Sequence, residues 1–167
     1  MSPKVTVLMP VYNAEKYLIE AIRSILTQSF MDYELLIIND GSTDDSLKII
    51  KSFSDKRIRL VQNERNIGQA NSLNKGIKLA RGEYIVRMDA DDISLSERIK
   101  KQVKFMDANP EIGISGTWIK PLYEKLVWGG KINGSLPVDP VEVKCFLLFP
   151  GFPPTHNEVT NKSAVNN

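Results

Sequence analysis

Apolar residues along this chain switch between two periods. Val5, Val7, Leu8, Met9 and Val11 crowd into one short stretch, a density that suits a strand buried on both faces. Tyr17, Leu18, Ala21, Ile22, Ile25 and Leu26 then recur at offsets of one, three and four, which predicts a helix over 14–28. Glu34-Leu35-Leu36-Ile37-Ile38-Asn39 reads as a second buried strand, terminated by Asp40-Gly41-Ser42, where the glycine permits a turn. Ser42, Thr43, Asp44 and Asp45 are helix-start residues, and Leu47, Ile50 and Phe53 mark the stripe behind them. A third strand over 58–62 follows, then a helix over 69–80 with Leu73, Ile77 and Ala80 in register and Gly82 where a C-terminal cap belongs. A fourth strand over 84–88 leads to a helix over 94–108, with Leu95, Ile99, Val103 and Met106 inward and Asn109-Pro110 as its stop. A strand over 112–119 and a helix over 141–149, opened by Asp139-Pro140, complete the pattern. The remaining stretch has no period, so the reading is one domain over 1–150 and an irregular tail over 151–167.

Alternation of this kind, with strands apolar on both faces, predicts a Rossmann-related α/β fold: a mostly parallel sheet with helices on both faces. In open sheets of that class ligands bind beyond the carboxyl ends of the strands. The segments to read for chemistry are therefore Pro10-Val11-Tyr12-Asn13, Asn39-Asp40-Gly41-Ser42 and Asp89-Ala90-Asp91-Asp92. Length adds that 167 residues suffice for one core without a staple. Composition narrows the partners: Lys plus Arg number 22 and Asp plus Glu 20, for a net charge of +2, with no basic cluster of the kind that grips nucleic acid. The longest apolar run, Cys145-Phe146-Leu147-Leu148-Phe149, is far short of the ~20 residues a spanning helix needs, and the N-terminus lacks a signal peptide's apolar core. A soluble, cytoplasmic protein is the expectation. The single cysteine, Cys145, reads as a buried inert thiol.

Asp89, Asp91 and Asp92 fall within four residues at a strand end, and carboxylates so close repel unless a cation or donors offset their charge. Their hard oxygens suit Mg²⁺ or Mn²⁺, which complete their shells with water and substrate phosphates. The competing reading is that Asp91 or Asp92 caps the next helix. A glycosidase pair would need two carboxyls facing each other across a sugar, which spacing alone does not establish. A nucleophile–histidine site has weak support, because the only histidine, His156, lies in the irregular stretch. A dinucleotide site would require a glycine-rich turn after the first strand, and residues 10–15 contain no glycine.

Taken together, the strand ends resemble the nucleotide-sugar-binding half of family 2 glycosyltransferases, enzymes of GT-A fold that usually invert the anomeric centre. The resemblance rests on Val7-Leu8-Met9-Pro10-Val11-Tyr12-Asn13-Ala14-Glu15, Ile38-Asn39-Asp40-Gly41-Ser42-Thr43-Asp44, Asn66-Ile67-Gly68, Gly82-Glu83-Tyr84-Ile85 and Arg87-Met88-Asp89-Ala90-Asp91-Asp92-Ile93-Ser94, in the family's order. It continues through Asn109-Pro110-Glu111-Ile112-Gly113 and covers about residues 3–149.

What the resemblance implies is a donor site. Pro10 and Tyr12 would meet the nucleotide, with Tyr12 stacked on the base, and Asp40 would accept a hydrogen bond from the base. Asn13 and Glu15 line the same corner in the family, although a helix cap and a first-turn acid suit those positions equally. Asn66, Gly68 and Asn71 resemble the loop around the donor, or an ordinary turn. Asp89 and Ala90 would lie near the ribose, and Asp91, with Asp89, would hold Mn²⁺ or Mg²⁺ on the diphosphate. Arg87 would pair with the aspartates or a phosphate, or lie along its strand. The implied substrates are a nucleoside diphosphate sugar, UDP-sugar foremost, and a saccharide or lipid-linked acceptor, the latter consistent with a peripheral place at the inner membrane face. The family's acidic base often stands in a Glu-Asp pair, and no such dipeptide occurs here. Family members that complete a reaction are usually longer, so a truncated chain and a catalytically incomplete binding module form the alternative. A nucleotidyltransferase is a third reading, weakened by the lack of a glycine- and lysine-rich phosphate loop. Apolar surface left uncovered by a missing acceptor half predicts a homodimer or concentration-dependent association.

Overall fold

A computed structural model describes residues 2–117 and the backbone of 159–161. Four strands form the parallel part of the sheet: β1 (Val5–Val11), β2 (Tyr33–Asn39), β3 (Ile58–Gln62) and β4 (Tyr84–Arg87). Helices α1 (Leu18–Leu26), α2 (Ser46–Ser52) and α3 (Gln69–Leu79) connect them, and α4 (Arg98–Ala108) follows β4. Two short strands, β5 (Ile114–Ser115) and β6 (Val159–Asn161), complete the order β3-β2-β1-β4-β6-β5. Strands β1 to β4 pair in parallel with one another, and β6 runs antiparallel to both β4 and β5. The expected doubly covered α/β sheet is what the chain forms.

Alternation of side chains splits the core in two. One face of the sheet carries Val5, Val7, Met9, Val11, Leu35, Ile37, Val86 and Met88, packed with Leu18, Ile22 and Ile25 of α1, Ile50 of α2 and Ile99, Val103 and Met106 of α4. The other face carries Leu8, Leu36, Ile38 and Ile85 beneath Leu73 and Ile77 of α3 and the adjoining Ala80. Every residue of β1 and β2 is buried, so both lack the polar alternation of a half-exposed strand. On the α3 face Thr6 is fully buried: its hydroxyl donates to Glu34 Oε1 at 2.7 Å and accepts from the Gly82 N–H at 2.8 Å.

Several expected elements shift. Helix α1 begins at Leu18 rather than Ala14; a turn precedes it, with the Tyr17 and Leu18 N–H groups both on the Ala14 carbonyl at 3.0 Å, while the Ala14 and Glu15 amides donate to the side chains of Ser46 and Asp44. Helix α4 begins at Arg98, not at 94, and Leu95, expected inward, is 80% exposed. Its segment is held non-helical by outside donors: the Gln28 amide reaches the Leu95 carbonyl at 2.8 Å, and the Ser29 N–H reaches the Ser96 carbonyl at 2.8 Å. Gly82 is not a helix cap. Helix α3 ends through an extended Ala80, and Gly82 instead lies so close to β1 that a Cβ would stand 2.3 Å from the Thr6 nitrogen. Strand β5 covers only Ile114–Ser115 of the expected 112–119. Strand β6 falls in the stretch read as having no element, its backbone paired with β4 from Tyr84↔Asn161 to Val86↔Val159. The helix expected over 141–149, with Cys145, lies outside the described residues, as does His156. Among the described residues no helix is long and apolar enough to cross a membrane.

Candidate functional site

The chain winds from β1 outward to β3 and then returns to β4 on the other side of β1. This reversal makes the carboxyl ends of β1 and β4 the switch point of the sheet, where open α/β folds form a crevice. Sequence chemistry helps it open. Even-numbered residues of β1 face β4, as the Met88 N–H on the Leu8 carbonyl at 3.0 Å shows. Pro10, the next residue of that parity, has no N–H to leave orphaned where the strands part. The β1–β4 register ends at Leu8↔Arg87, whereas β1 continues beside β2 to Val11↔Asn39.

On the β1 side, Tyr12 is 48% exposed. The next residue, Asn13, takes a left-handed backbone with φ of 49°, a conformation asparagine tolerates better than most side chains. Asn13, Ala14 and Glu15 are laced to the loop after β2 and the start of α2. The Asn13 N–H donates to Ser42 Oγ at 3.1 Å, the Ala14 N–H to Ser46 Oγ at 2.9 Å, and the Glu15 N–H to Asp44 Oδ2 at 3.0 Å. In return, the Thr43 N–H donates to Asn13 Oδ1 at 2.9 Å and the Asp45 N–H to Glu15 Oε2 at 2.8 Å. Neither the cap nor the first-turn role open to Asn13 and Glu15 is what these contacts describe; both side chains bridge two loops.

Asp40 organises a second pair of loops. It is 2% exposed; Oδ1 accepts from Asn63 Nδ2 at 2.7 Å and the Ile67 N–H at 3.0 Å, and Oδ2 accepts from the Gly68 N–H at 2.9 Å. Burial pushes the carboxyl up, but these donors, with Ser72, outweigh it and hold Asp40 below the usual carboxylate range. Lys75 extends the chain by donating to Asn63 Oδ1 at 2.7 Å. Beside Asp40, Gly41 has φ of 69°, and a Cβ there would stand 2.6 Å from the Arg65 carbonyl carbon, so a side chain is excluded both by conformation and by space. Asn66 and Asn71 brace the same loop: Asn66 Oδ1 accepts from the Gly68 N–H at 2.9 Å, and Asn71 Nδ2 donates to the Ile67 carbonyl at 2.6 Å. Gly68 itself has φ of 88°.

Past the carboxyl end of β4, Asp89 is 8% exposed and pairs with Arg87, Nε to Oδ1 at 3.3 Å and Nη2 to Oδ2 at 3.4 Å. Ala90 is buried and Asp91 is exposed. Arg98 lies behind this turn, 8% exposed, with Nη1 donating to Met88 Sδ at 3.5 Å and Nη2 to the Arg87 carbonyl at 3.2 Å. Burial pushes its guanidinium down to about 10, against the pull of Asp92. The periodicity that marked Ile99, Val103 and Met106 also places Arg98, Gln102 and Met106 on one inward row; a charge in that row is the signal by which Arg98 could have been found. Gln28, Ser46 and Asn63 were likewise missed, since a single buried amide or hydroxyl has no periodic mark.

Among the described residues no three His, Cys, Asp or Glu side chains gather as a cation cage. The donor set is instead the exposed Asp91 and the Arg87-paired Asp89, hard oxygens of the kind that take Mg²⁺ or Mn²⁺ together with water and phosphate. The chemistry of these two carboxylates fits a hard divalent ion, with the rest of its shell left to water or other oxygens.

A mostly parallel sheet of this order, with helices on both faces, is the architecture shared with GT-A-type glycosyltransferases. The chain belongs to glycosyl transferase family 2, whose model matches residues 6–162. EpsE of Bacillus subtilis (strain 168) is 41% identical over 138 residues, 81% of this chain and 50% of EpsE. The glycosyltransferase GlyG of Streptococcus pneumoniae serotype 4 is 40% identical over 118 residues, 68% of this chain and 39% of GlyG. Among solved structures, the Pyrobaculum calidifontis mannosyltransferase PcManGT, in complex with GDP-Man and Mn²⁺, superposes with a TM-score of 0.65 at 26% identity, covering 72% of this chain and 36% of its own. S. aureus TarS 1-349 with UDP-GlcNAc shares the fold at a TM-score of 0.77 and 24% identity, covering 96% of this chain and 46% of TarS 1-349. The chain thus spans half or less of the length of these relatives.

Proposed function

We propose that this chain supplies the donor site of a glycosyltransferase: it binds a nucleoside diphosphate sugar, a UDP-sugar foremost, in the crevice between β1 and β4. The observation that carries the reading is the switch point itself, flanked by exposed Tyr12 and by the Asp89–Asp91 turn. The ring of Tyr12 offers a stacking face for the base. Asp40, enclosed by its own donors, acts through the 63–68 loop that it shapes rather than as an open acceptor. Asp91, assisted by Asp89, would hold Mn²⁺ or Mg²⁺, and when bound such an ion neutralises charge on the diphosphate. Arg87 holds the Asp89 carboxylate in place at the strand end. The reaction is transfer of the sugar, with inversion, to a saccharide or lipid-linked hydroxyl, and a lipid-linked acceptor would bring the protein to the inner face of a membrane.

Calorimetric titration of UDP into the purified chain, with Mn²⁺ and again with EDTA, tests the donor site. Binding that requires Mn²⁺ and is lost in Asp91→Ala is the expected result; Asp91→Ala with unchanged Mn²⁺-dependent affinity overturns the assignment. One further reading is a module that binds the nucleotide sugar without turnover by this chain alone. Incubation with UDP-sugars separates the two: UDP release in the presence of an acceptor supports the transferase, and binding with no release supports the module.

A further inference from the structure

We infer that Asp44, on the loop after β2, and Ser46, the first residue of α2, are positioning residues for the Tyr12 lip of the crevice. Ser46 is fully buried, so any effect of its hydroxyl on a ligand must pass through the protein. The inference rests on the donor-site reading above.

The geometry is specific. Tyr12 lies between two fixed points. Before it, the Val11 carbonyl accepts the Asp40 N–H at 2.8 Å and completes the β1–β2 ladder. After it, the Asn13, Ala14 and Glu15 amides point at Ser42, Ser46 and Asp44. Successive N–H groups at the start of α1 have no partner within the helix, and here side chains from the loop after β2 and the start of α2 supply the acceptors. Asp44 serves both sides of the join: Oδ2 accepts the Glu15 N–H at 3.0 Å and Oδ1 accepts the Ser46 N–H at 3.0 Å. Burial raises the Asp44 carboxyl, but the Ser46 hydroxyl and the Glu15 and Ser46 amides draw it below its ordinary value, consistent with a carboxylate that works ionised. Asn13, with φ of 49°, holds a conformation that an unbraced loop would readily leave. Without the Asp44 and Ser46 acceptors the Ala14 and Glu15 amides lose their anchors, and the half-exposed Tyr12 and Asn13, then held on that side through Ser42 and Thr43 alone, move more freely. Preorganisation of a ligand-facing side chain by a supporting layer of this kind is a recurrent source of affinity.

The test compares the full chain with Asp44→Ala, Ser46→Ala, the conservative Asp44→Asn, and Ser52→Ala as a control on the same helix. Amide hydrogen exchange without ligand reads the brace, and titration of UDP with Mn²⁺, well below each variant's melting temperature, reads its effect. Faster exchange at Ala14 and Glu15 in both Asp44→Ala and Ser46→Ala is expected, with UDP affinity weakened about five- to tenfold, the size of one lost hydrogen bond. Asp44→Asn, which retains one acceptor oxygen, falls between Asp44→Ala and the wild type, and Ser52→Ala changes neither readout. Unchanged exchange at Ala14 and Glu15 overturns the inference, as does faster exchange with unchanged affinity. If the wild type takes up no UDP, the donor-site reading fails, and the exchange arm alone then decides whether Asp44 and Ser46 hold the lip.

Discussion

Asp40 has 2% of its surface exposed and receives hydrogen bonds from Asn63, Ile67 and Gly68. Its carboxylate is therefore a structural anion whose partners lie in a loop more than twenty residues away, and the cost of losing it is set by the donors left behind. Asp40→Ala is expected to destabilise by about 2–3 kcal/mol, read by urea denaturation, because buried donors lose their acceptor. The sign of its pH dependence follows from its lowered pKa. The stabilisation is complete above the unfolded value of about 4 and is lost as pH falls through the folded value. Tyr12 presents the opposite case. With 48% of its surface exposed it contributes little to stability, so Tyr12→Ala should leave the denaturation midpoint nearly unchanged while weakening UDP binding by about tenfold or more, the range of a lost base–aromatic stack. Tyr12→Phe should retain most of the affinity, and a loss as large as that of alanine would show that the hydroxyl, not the ring face, carries the contact.

Elements in this chain were legible in proportion to how much of their information is periodic. Strand β1 was read with its observed ends because burial on both faces packs apolar residues together without interruption. Helix α4 was not, because its N-terminal boundary is decided by Gln28, seventy residues from its first turn. Gln28 is 2% exposed; Nε2 donates to the Ser24 carbonyl at 3.1 Å, Ser94 Oγ at 3.1 Å and the Leu95 carbonyl at 2.8 Å, and Oε1 accepts the Ile99 N–H at 3.2 Å. One amide thus joins the end of α1 to the loop between the acidic turn and α4. Gln28→Leu keeps the volume and strands these partners, so it is expected to cost about 2–4 kcal/mol, summed over more than one unmade bond. A loss below about 0.5 kcal/mol by urea denaturation, the scatter of ordinary surface substitutions, would mean that water replaces the amide. Strand β6 escaped the sequence for a related reason: a strand of three residues is too short to show a period, and its pairing with β4 comes from the far end of the chain. Of the residues read as a candidate site, Tyr12, Asp40 and the acidic turn do fall at or just past the carboxyl ends of β1, β2 and β4, where the strand pattern put them. The candidate site was not legible where a residue acts by holding a neighbouring loop, as Ser46 and Asn63 do, since nothing local records the partner.

Across the whole molecule, ionisable groups bound the pH range of the fold from both sides. Hydrogen bonds from Arg57 hold Asp55 down to about 2, Lys4 and Tyr84 lower Asp107, and Asp40 and Asp44 are lowered against the opposing effect of burial. Each of these carboxylates stabilises the fold above its unfolded value, near 4, and ceases to do so as pH falls through its folded value. On the alkaline side burial pushes both Tyr33 and Tyr84 up to about 12, and hydrogen bonds to Glu83 and Asp107 raise Lys4. Groups with raised values stabilise fully below their unfolded values, near 10, and lose that contribution as pH climbs through the folded ones. The stability curve should therefore have a plateau from roughly pH 5 to 9, a fall below about 4 and a second fall above about 10. Urea denaturation across that range checks the shape, and Asp55→Asn and Tyr84→Phe separate the limbs. Asp55→Asn should lower the plateau and make the acid limb shallower, because that carboxylate no longer contributes. Tyr84→Phe removes one ionisation from the alkaline limb and flattens it, while its lost bond to Asp107, 2.8 Å in the wild type, lowers the plateau as well. A wild-type curve that kept its full height down to about pH 3 would show that the acidic partners persist in the unfolded chain, and that the pairs at the amino ends of the strands do not discriminate between the two states.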